Sequence, residues 1–104
     1  MSARWHTVPI PLPGAGESET FVVGDLALLL CNAGGEAFVI DDTCPHALQS
    51  LRGGRIEGTV IECPLHGGSL DLRSGEAVSL PIRRPTHCYP VRQRGDGLEV
   101  SVSD

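Results

Sequence analysis

The sequence predicts an all-β domain, an antiparallel sandwich or barrel-like arrangement of short strands, and three observations point to it. Turn signals built on Gly, Asn and Asp recur every eight to twelve residues. The segments between them are short and rich in Val, Ile, Leu and Thr. Almost none of them carries the apolar spacing of an amphipathic helix. Many short strands at this spacing are the mark of sheets packed face to face.

The elements follow in order. "TFVVG", Thr20 to Gly24, reads as a short strand, and "LALLLCN", Leu26 to Asn32, as a longer one. "NAGGE" is a hairpin turn of the Asn-and-Gly kind, and "EAFVIDD" is its returning strand. "RIEGTVIEC" is a hairpin pivoting at Gly58-Thr59, and "SLDLRSGEAVSL" is another with Arg73-Ser74-Gly75 at its tip. "HCYPVRQ" and "LEVSVSD" form a last pair around Gly95-Asp96-Gly97. No linker and no internal repeat divides the chain, so residues 1–104 are expected to form one domain.

A chain of 104 residues has room for one modest core. At this size folding buries only about 65% of the surface that the unfolded chain exposes. Aromatic residues are 4% of the total, namely Trp5, Phe21, Phe38 and Tyr89. A crosslink such as a metal centre would therefore strengthen this core. The net charge is −5 and every basic residue is an arginine. That balance argues against a nucleic-acid partner, which needs a positive face.

The opening "MSARWHTVPIPLPGAG" is broken by prolines and has no apolar stretch of the signal-peptide kind. The run "LALLLC", Leu26 to Cys31, is too short to cross a bilayer. The expectation is a cytoplasmic protein without a membrane partner, and a monomer as the simplest assembly. In that compartment four cysteines read as metal ligands or core side chains rather than a disulfide framework.

Two stretches carry the chemistry. Cys44-Pro45-His46 and Cys63-Pro64-Leu65-His66 each follow a strand, with sixteen residues between His46 and Cys63. Thiolate sulfur and neutral imidazole nitrogen are both good ligands for transition metals. Zinc sites usually pair like ligands at wider spacing. Two ligands only two positions apart, with Pro45 fixing the backbone between them, cannot easily converge on one tetrahedral ion. Binding two neighbouring metals removes that strain.

This C-x-H…C-x-x-H pattern resembles the Rieske-type ferredoxins, above all the small ferredoxins that serve bacterial aromatic ring-hydroxylating dioxygenases. Prolines follow both cysteines, and glycines follow the second histidine. The likeness runs from "VIDDTCPH" through "GRIEGTVIECPLHGGSLDLRSGEAV" to "YPVR". It implies a Rieske-like antiparallel β-sandwich with a small cluster-binding subdomain of two loops, about residues 42–70. It implies one [2Fe–2S] cluster, with Cys44 and Cys63 on one iron and His46 and His66 on the other. Backbone N–H groups of "HALQS" and "HGGS" are expected to face the sulfurs. It also implies an electron carrier rather than an enzyme. Its partners would be an NAD(P)H-dependent flavoprotein reductase and a terminal Rieske oxygenase.

Respiratory Rieske proteins add a cysteine to each cluster loop, but the matching residues here are Gln49 and Leu65. Their serine and tyrosine donors to the cluster sulfurs are replaced by Gly68 and Leu70. Fewer donors predict a potential at the low end of the Rieske range, near ~−150 mV. The small subunit of an assimilatory nitrite reductase resembles the same fold and is an alternative. A non-redox Cys₂His₂ zinc module is another.

The remaining candidates have plainer readings. Cys31 and Cys88 read as small core side chains. His6 and His87, each without a neighbouring ligand, read as solvent-facing or satisfied strand residues. "GAGESE" at Gly14 lacks the third glycine and the helix of a dinucleotide site. "LPIRRPT", Leu80 to Thr86, is either a rigid connector or a cluster-flanking loop whose Arg83 and Arg84 help dock partners.

Overall fold

The computed structural model describes residues 3–46, 48–65 and 67–103. Eleven antiparallel strands form three sheets, and no helix occurs among the described residues. The central sheet has the order β2-β3-β4-β9, with β2 at Ser18–Val23, β3 at Leu26–Ala33, β4 at Glu36–Asp41 and β9 at Cys88–Tyr89. Two-residue turns set its register. Gly34 and Gly35 join Ala33 to its partner Glu36, with φ of 64° and 96°. Only glycine adopts both angles at no steric cost, which is why "NAGGE" makes the hairpin.

The alternation of side chains along β3 explains the long apolar run. Leu28 and Leu30 face one core with Phe21, Val39, Val100 and Val102. Leu29, Cys31 and Ala33 face the other, with Ile40, Leu51, Ile61, Leu70, Leu72 and Ile82. Successive residues of a strand point to opposite faces, so a strand buried on both sides reads as continuously apolar. The central sheet thus lies between two cores.

On one side packs the sheet β1-β11-β10, with β1 at Ala3–Thr7, β10 at Val91–Arg94 and β11 at Gly97–Ser103. On the other lies the sheet β5-β6-β7-β8, with β5 at Ile56–Glu57, β6 at Val60–Glu62, β7 at Ser69–Asp71 and β8 at Ala77–Ser79. The pivots at Gly58-Thr59 and at residues 73–75 fall where the sequence predicts them.

Three features differ from the sequence reading. β1 lies in a proline-rich opening and pairs with β11 from Ala3↔Ser103 to Thr7↔Glu99. Its exposed outer face hides the alternation, although Trp5 packs under the Arg92 guanidinium at 3.9 Å. "HCYPVRQ" is two strands, not one. Cys88 and Tyr89 pair with β4, and Val91 to Arg94 pair with β11. Pro90 stands at the break, because it has no N–H to give to a ladder. Finally, the two hairpins β5–β6 and β7–β8 join into one four-stranded sheet, whose last strand lies beyond the 42–70 segment that the resemblance implies.

Candidate metal centre

Both Cys-Pro loops border the β5–β8 sheet, the first entering it from the central sheet and the second lying within it. The first runs from the end of β4 to β5, and the second joins β6 to β7. Their backbones close in the same way. The Cys44 N–H donates to the Gln49 carbonyl at 2.6 Å, and the Leu48 N–H donates back to the Cys44 carbonyl at 3.0 Å. The Cys63 N–H donates to the Gly68 carbonyl at 2.6 Å, and the Gly67 N–H donates back to Cys63 at 3.1 Å. In each loop the fifth residue has positive φ, 54° at Leu48 and 75° at Gly67. One turn is built twice, starting at each cysteine, a likeness hidden by the different spacing of the histidines.

Cys44 and Cys63 are buried, belong to the same core cluster and are not joined in a disulfide. His46 is exposed at the first loop tip. His66 lies outside the described residues. Among the described residues no three His, Cys, Asp or Glu side chains converge on a single ion site. The donor chemistry suits a mixed sulfur and nitrogen centre, with two thiols inward and an imidazole at the rim. Of the N–H groups in "HALQS" and "HGGS", those of Leu48 and Gly67 close the two turns.

The base of the first loop is fastened by Asp42, which sequence reasoning did not single out. Its buried Oδ1 accepts the Thr20 hydroxyl at 2.7 Å and the Ser50 hydroxyl at 2.9 Å. Its carbonyl accepts the Leu51 N–H at 2.7 Å, and Thr43 bridges to Ser50. The signal available was an acid at the end of a buried strand, two residues before a candidate ligand cysteine. Arg52 ties the far side of this loop to Glu19 on β2 at 2.7 Å. That hydrogen bond holds the exposed Glu19 carboxyl below its usual range.

The segment 80–87 wedges against both loops. Gly68 packs so closely on it that a Cβ would stand 2.7 Å from Ile82 Cγ1 and 2.9 Å from the Ile82 nitrogen. Pro81, Arg83 and Arg84 share a surface hollow with Pro45, His46 and Leu48. The two arginines thus lie beside the first loop tip, as the cluster-flanking reading expects.

Cys31 is a fully buried core residue, its thiol pushed up to about 12 by burial and by the nearby Cys88. Cys88 is half-buried and donates weakly to the Leu72 carbonyl at 3.5 Å. Burial raises its thiol too, with Asp71 and Asp41 adding to the effect. His87 is exposed and stacks on Tyr89 with ring centroids 4.5 Å apart. His6 fits neither plain reading well, since its Nε2 is buried with no hydrogen-bond partner among the described residues. Burial and the 2.6 Å bond to Asp41 raise the Tyr89 hydroxyl well above the usual phenol range.

The model of the Rieske [2Fe-2S] domain matches residues 9–90. The chain is 39% identical over 87 residues to the ferredoxin component of biphenyl 2,3-dioxygenase of Rhodococcus jostii, covering 84% of this chain and 81% of that one. It is 34% identical over 101 residues to the anthranilate 1,2-dioxygenase ferredoxin subunit of Burkholderia cepacia, covering 96% of this chain and 94% of that one. Among solved structures, the Sphingomonas yanoikuyae B1 ferredoxin superposes with a TM-score of 0.79 at 36% identity, over 86% of this chain and 88% of that one. A complex of reduced oxygenase and oxidised ferredoxin in carbazole 1,9a-dioxygenase matches with a TM-score of 0.83 at 29% identity, over 93% of this chain and 92% of that one. A structure named for the NADH-dependent nitrite reductase small subunit of Mycobacterium tuberculosis shares the fold alone, at 16% identity and a TM-score of 0.80, over 98% of this chain and 97% of that one. Paired Cys-Pro loops on a three-sheet scaffold and relatives matched over most of their length agree: the chain belongs to the Rieske [2Fe-2S] domain family.

Proposed function

We propose that the protein is a one-electron carrier, taking electrons from an NAD(P)H-dependent flavoprotein reductase and delivering them to a terminal ring-hydroxylating oxygenase. The observation that carries this reading is the doubled turn at Cys44 and Cys63, which sets two buried thiols under two loop tips. Relatives matched along most of this chain are ferredoxin components of dioxygenases acting on chemically different aromatics. Because those aromatics differ, the aromatic is selected in the oxygenase rather than here.

Cys44, His46, Cys63 and His66 are the ligands in this reading. A bound Rieske cluster supplies a centre that takes up and gives back one electron. The rest is the work of the chain. Cys44 and Cys63 meet the centre as thiolates from the buried side, where Leu51, Ile61, Leu70 and Ile82 keep water away. Asp42 and the two backbone turns hold the cysteines at fixed separation, so that little rearrangement accompanies a change of charge. His46 reaches the surface and marks the edge through which a partner is approached. The protein orients and tunes, and bond chemistry happens elsewhere.

The carrier works as a monomer of one domain in the cytoplasm. No helix among the described residues is long and apolar enough to cross a membrane, and no disulfide joins its four cysteines. The test is rapid mixing of the dithionite-reduced protein with an oxidised terminal oxygenase of the biphenyl dioxygenase type. Reoxidation of this protein matched by reduction of the oxygenase supports the reading. A reduced protein that stays reduced with every such oxygenase would refute it.

A further inference from the structure

Leu48 is, among the described residues, the only non-glycine with positive φ, at 54°. A bulky side chain is disfavoured there, and such strain gathers where a protein meets its partners. The matching place in the second loop is Gly67, which adopts the same turn without that cost. Burial does not repay Leu48 for it, since the residue is 79% exposed. Nor does hydrogen bonding, because its N–H bond to the Cys44 carbonyl would be made equally by glycine.

Its surroundings show what the side chain serves. Leu65 and Leu80 are likewise open to solvent, at 61% and 68%. Leu48 shares its hollow with Pro45, His46, Pro81, Arg83 and Arg84. Arg52, Arg55 and Arg92 each hold a glutamate, whereas Arg83 and Arg84, like Arg73 and Arg94, have no carboxylate partner among the described residues. On a chain of net charge −5, an apolar knob beside two unpaired cations is an inverted patch. Leu48 also lines a second hollow, with Asp25, Asp41 and Pro85.

We infer that Leu48 is the apolar anchor of the docking face, entering an apolar hollow on the terminal oxygenase whose rim turns carboxylates toward Arg83 and Arg84. The inference rests on the electron-carrier reading and names the contact that serves it. A central apolar residue ringed by charge is the usual anatomy of an energetic hot spot, with the charges governing orientation and encounter.

The experiment measures binding of the holoprotein to an oxidised terminal oxygenase by calorimetry at low and high salt, with melting temperature and visible spectrum recorded for each variant. Leu48→Gly is expected to keep the spectrum and to melt no lower than the parent. It should nevertheless bind about tenfold more weakly or worse. Leu48→Met should recover most of the affinity. Arg83→Glu with Arg84→Glu should weaken binding most at low salt. Parent-like binding by Leu48→Gly overturns the inference. So does a Leu48→Gly protein that melts lower and loses its colour, because the leucine is then structural. Dependence on Leu48 in binding a flavoprotein reductase alone overturns the choice of partner. A colourless parent protein, by contrast, marks failure of the carrier reading itself.

Discussion

In the proposed reading single side chains carry the ligation, and buried ones carry part of the response to pH. Replacing Cys44 or Cys63 by serine is expected to abolish cluster binding, read as loss of visible colour and of protein-bound iron. Retention of both in either variant would remove that residue from the ligand set. Cys31 acts through burial. Its folded-state thiol is raised to about 12, whereas an unfolded thiol titrates near about 8.5. A raised pKa gives stability that is whole below the unfolded value and is lost as pH climbs toward the folded one. Tyr89 works in the same direction from about pH 10 upward. The denaturation midpoint should therefore fall above about pH 9, and Cys31→Ala should flatten that fall. A midpoint equally steep in both proteins would contradict this account. At this scale the four candidate ligands were legible because Cys-x-His and Cys-x-x-His are local patterns. Leu48 was not, since its φ is dictated by hydrogen bonds that close only in the folded loop.

Elements set the position of the site. Asp42 fastens the first loop, and Asp42→Ala leaves the Thr20 and Ser50 hydroxyls without their acceptor. That change should cost about 1–3 kcal/mol, while Asp42→Asn, which keeps an acceptor oxygen, should cost less. Denaturant titration of the two variants checks the order. Gly54 is tighter still. A Cβ there would run into the Glu62 carbonyl, on the strand that leads to Cys63. Gly54→Ala should lose about 1–3 kcal/mol and lower the iron content at the same time. Full iron in a stable Gly54→Ala protein would show that this contact does not position the second loop. The hairpins were legible because "NAGGE" and its fellows state their turn chemistry locally. The break at Pro90 was not read, because choosing between two sheets is a decision of tertiary packing.

At the scale of the whole molecule, β3 and β4 belong to both cores at once. Leu28 and Leu30 face the sheet that carries Trp5, and Leu29 and Cys31 face the cluster loops. Unfolding should thus be one event seen from both sides. Trp5 fluorescence and visible absorbance should change at the same denaturant concentration, and separated midpoints would show two independent halves. The all-β class and the two hairpins of the third sheet were legible from turn spacing, and the β6–β7 pairing that joins those hairpins was not, because it forms across the second Cys-Pro loop. The account as a whole stands on the centre held by the paired loops. The most direct test is absorption and EPR of the purified protein before and after dithionite, with a redox titration. The account predicts a red-brown protein, a rhombic signal on reduction and a potential near ~−150 mV. A colourless, EPR-silent protein carrying one zinc ion would contradict it.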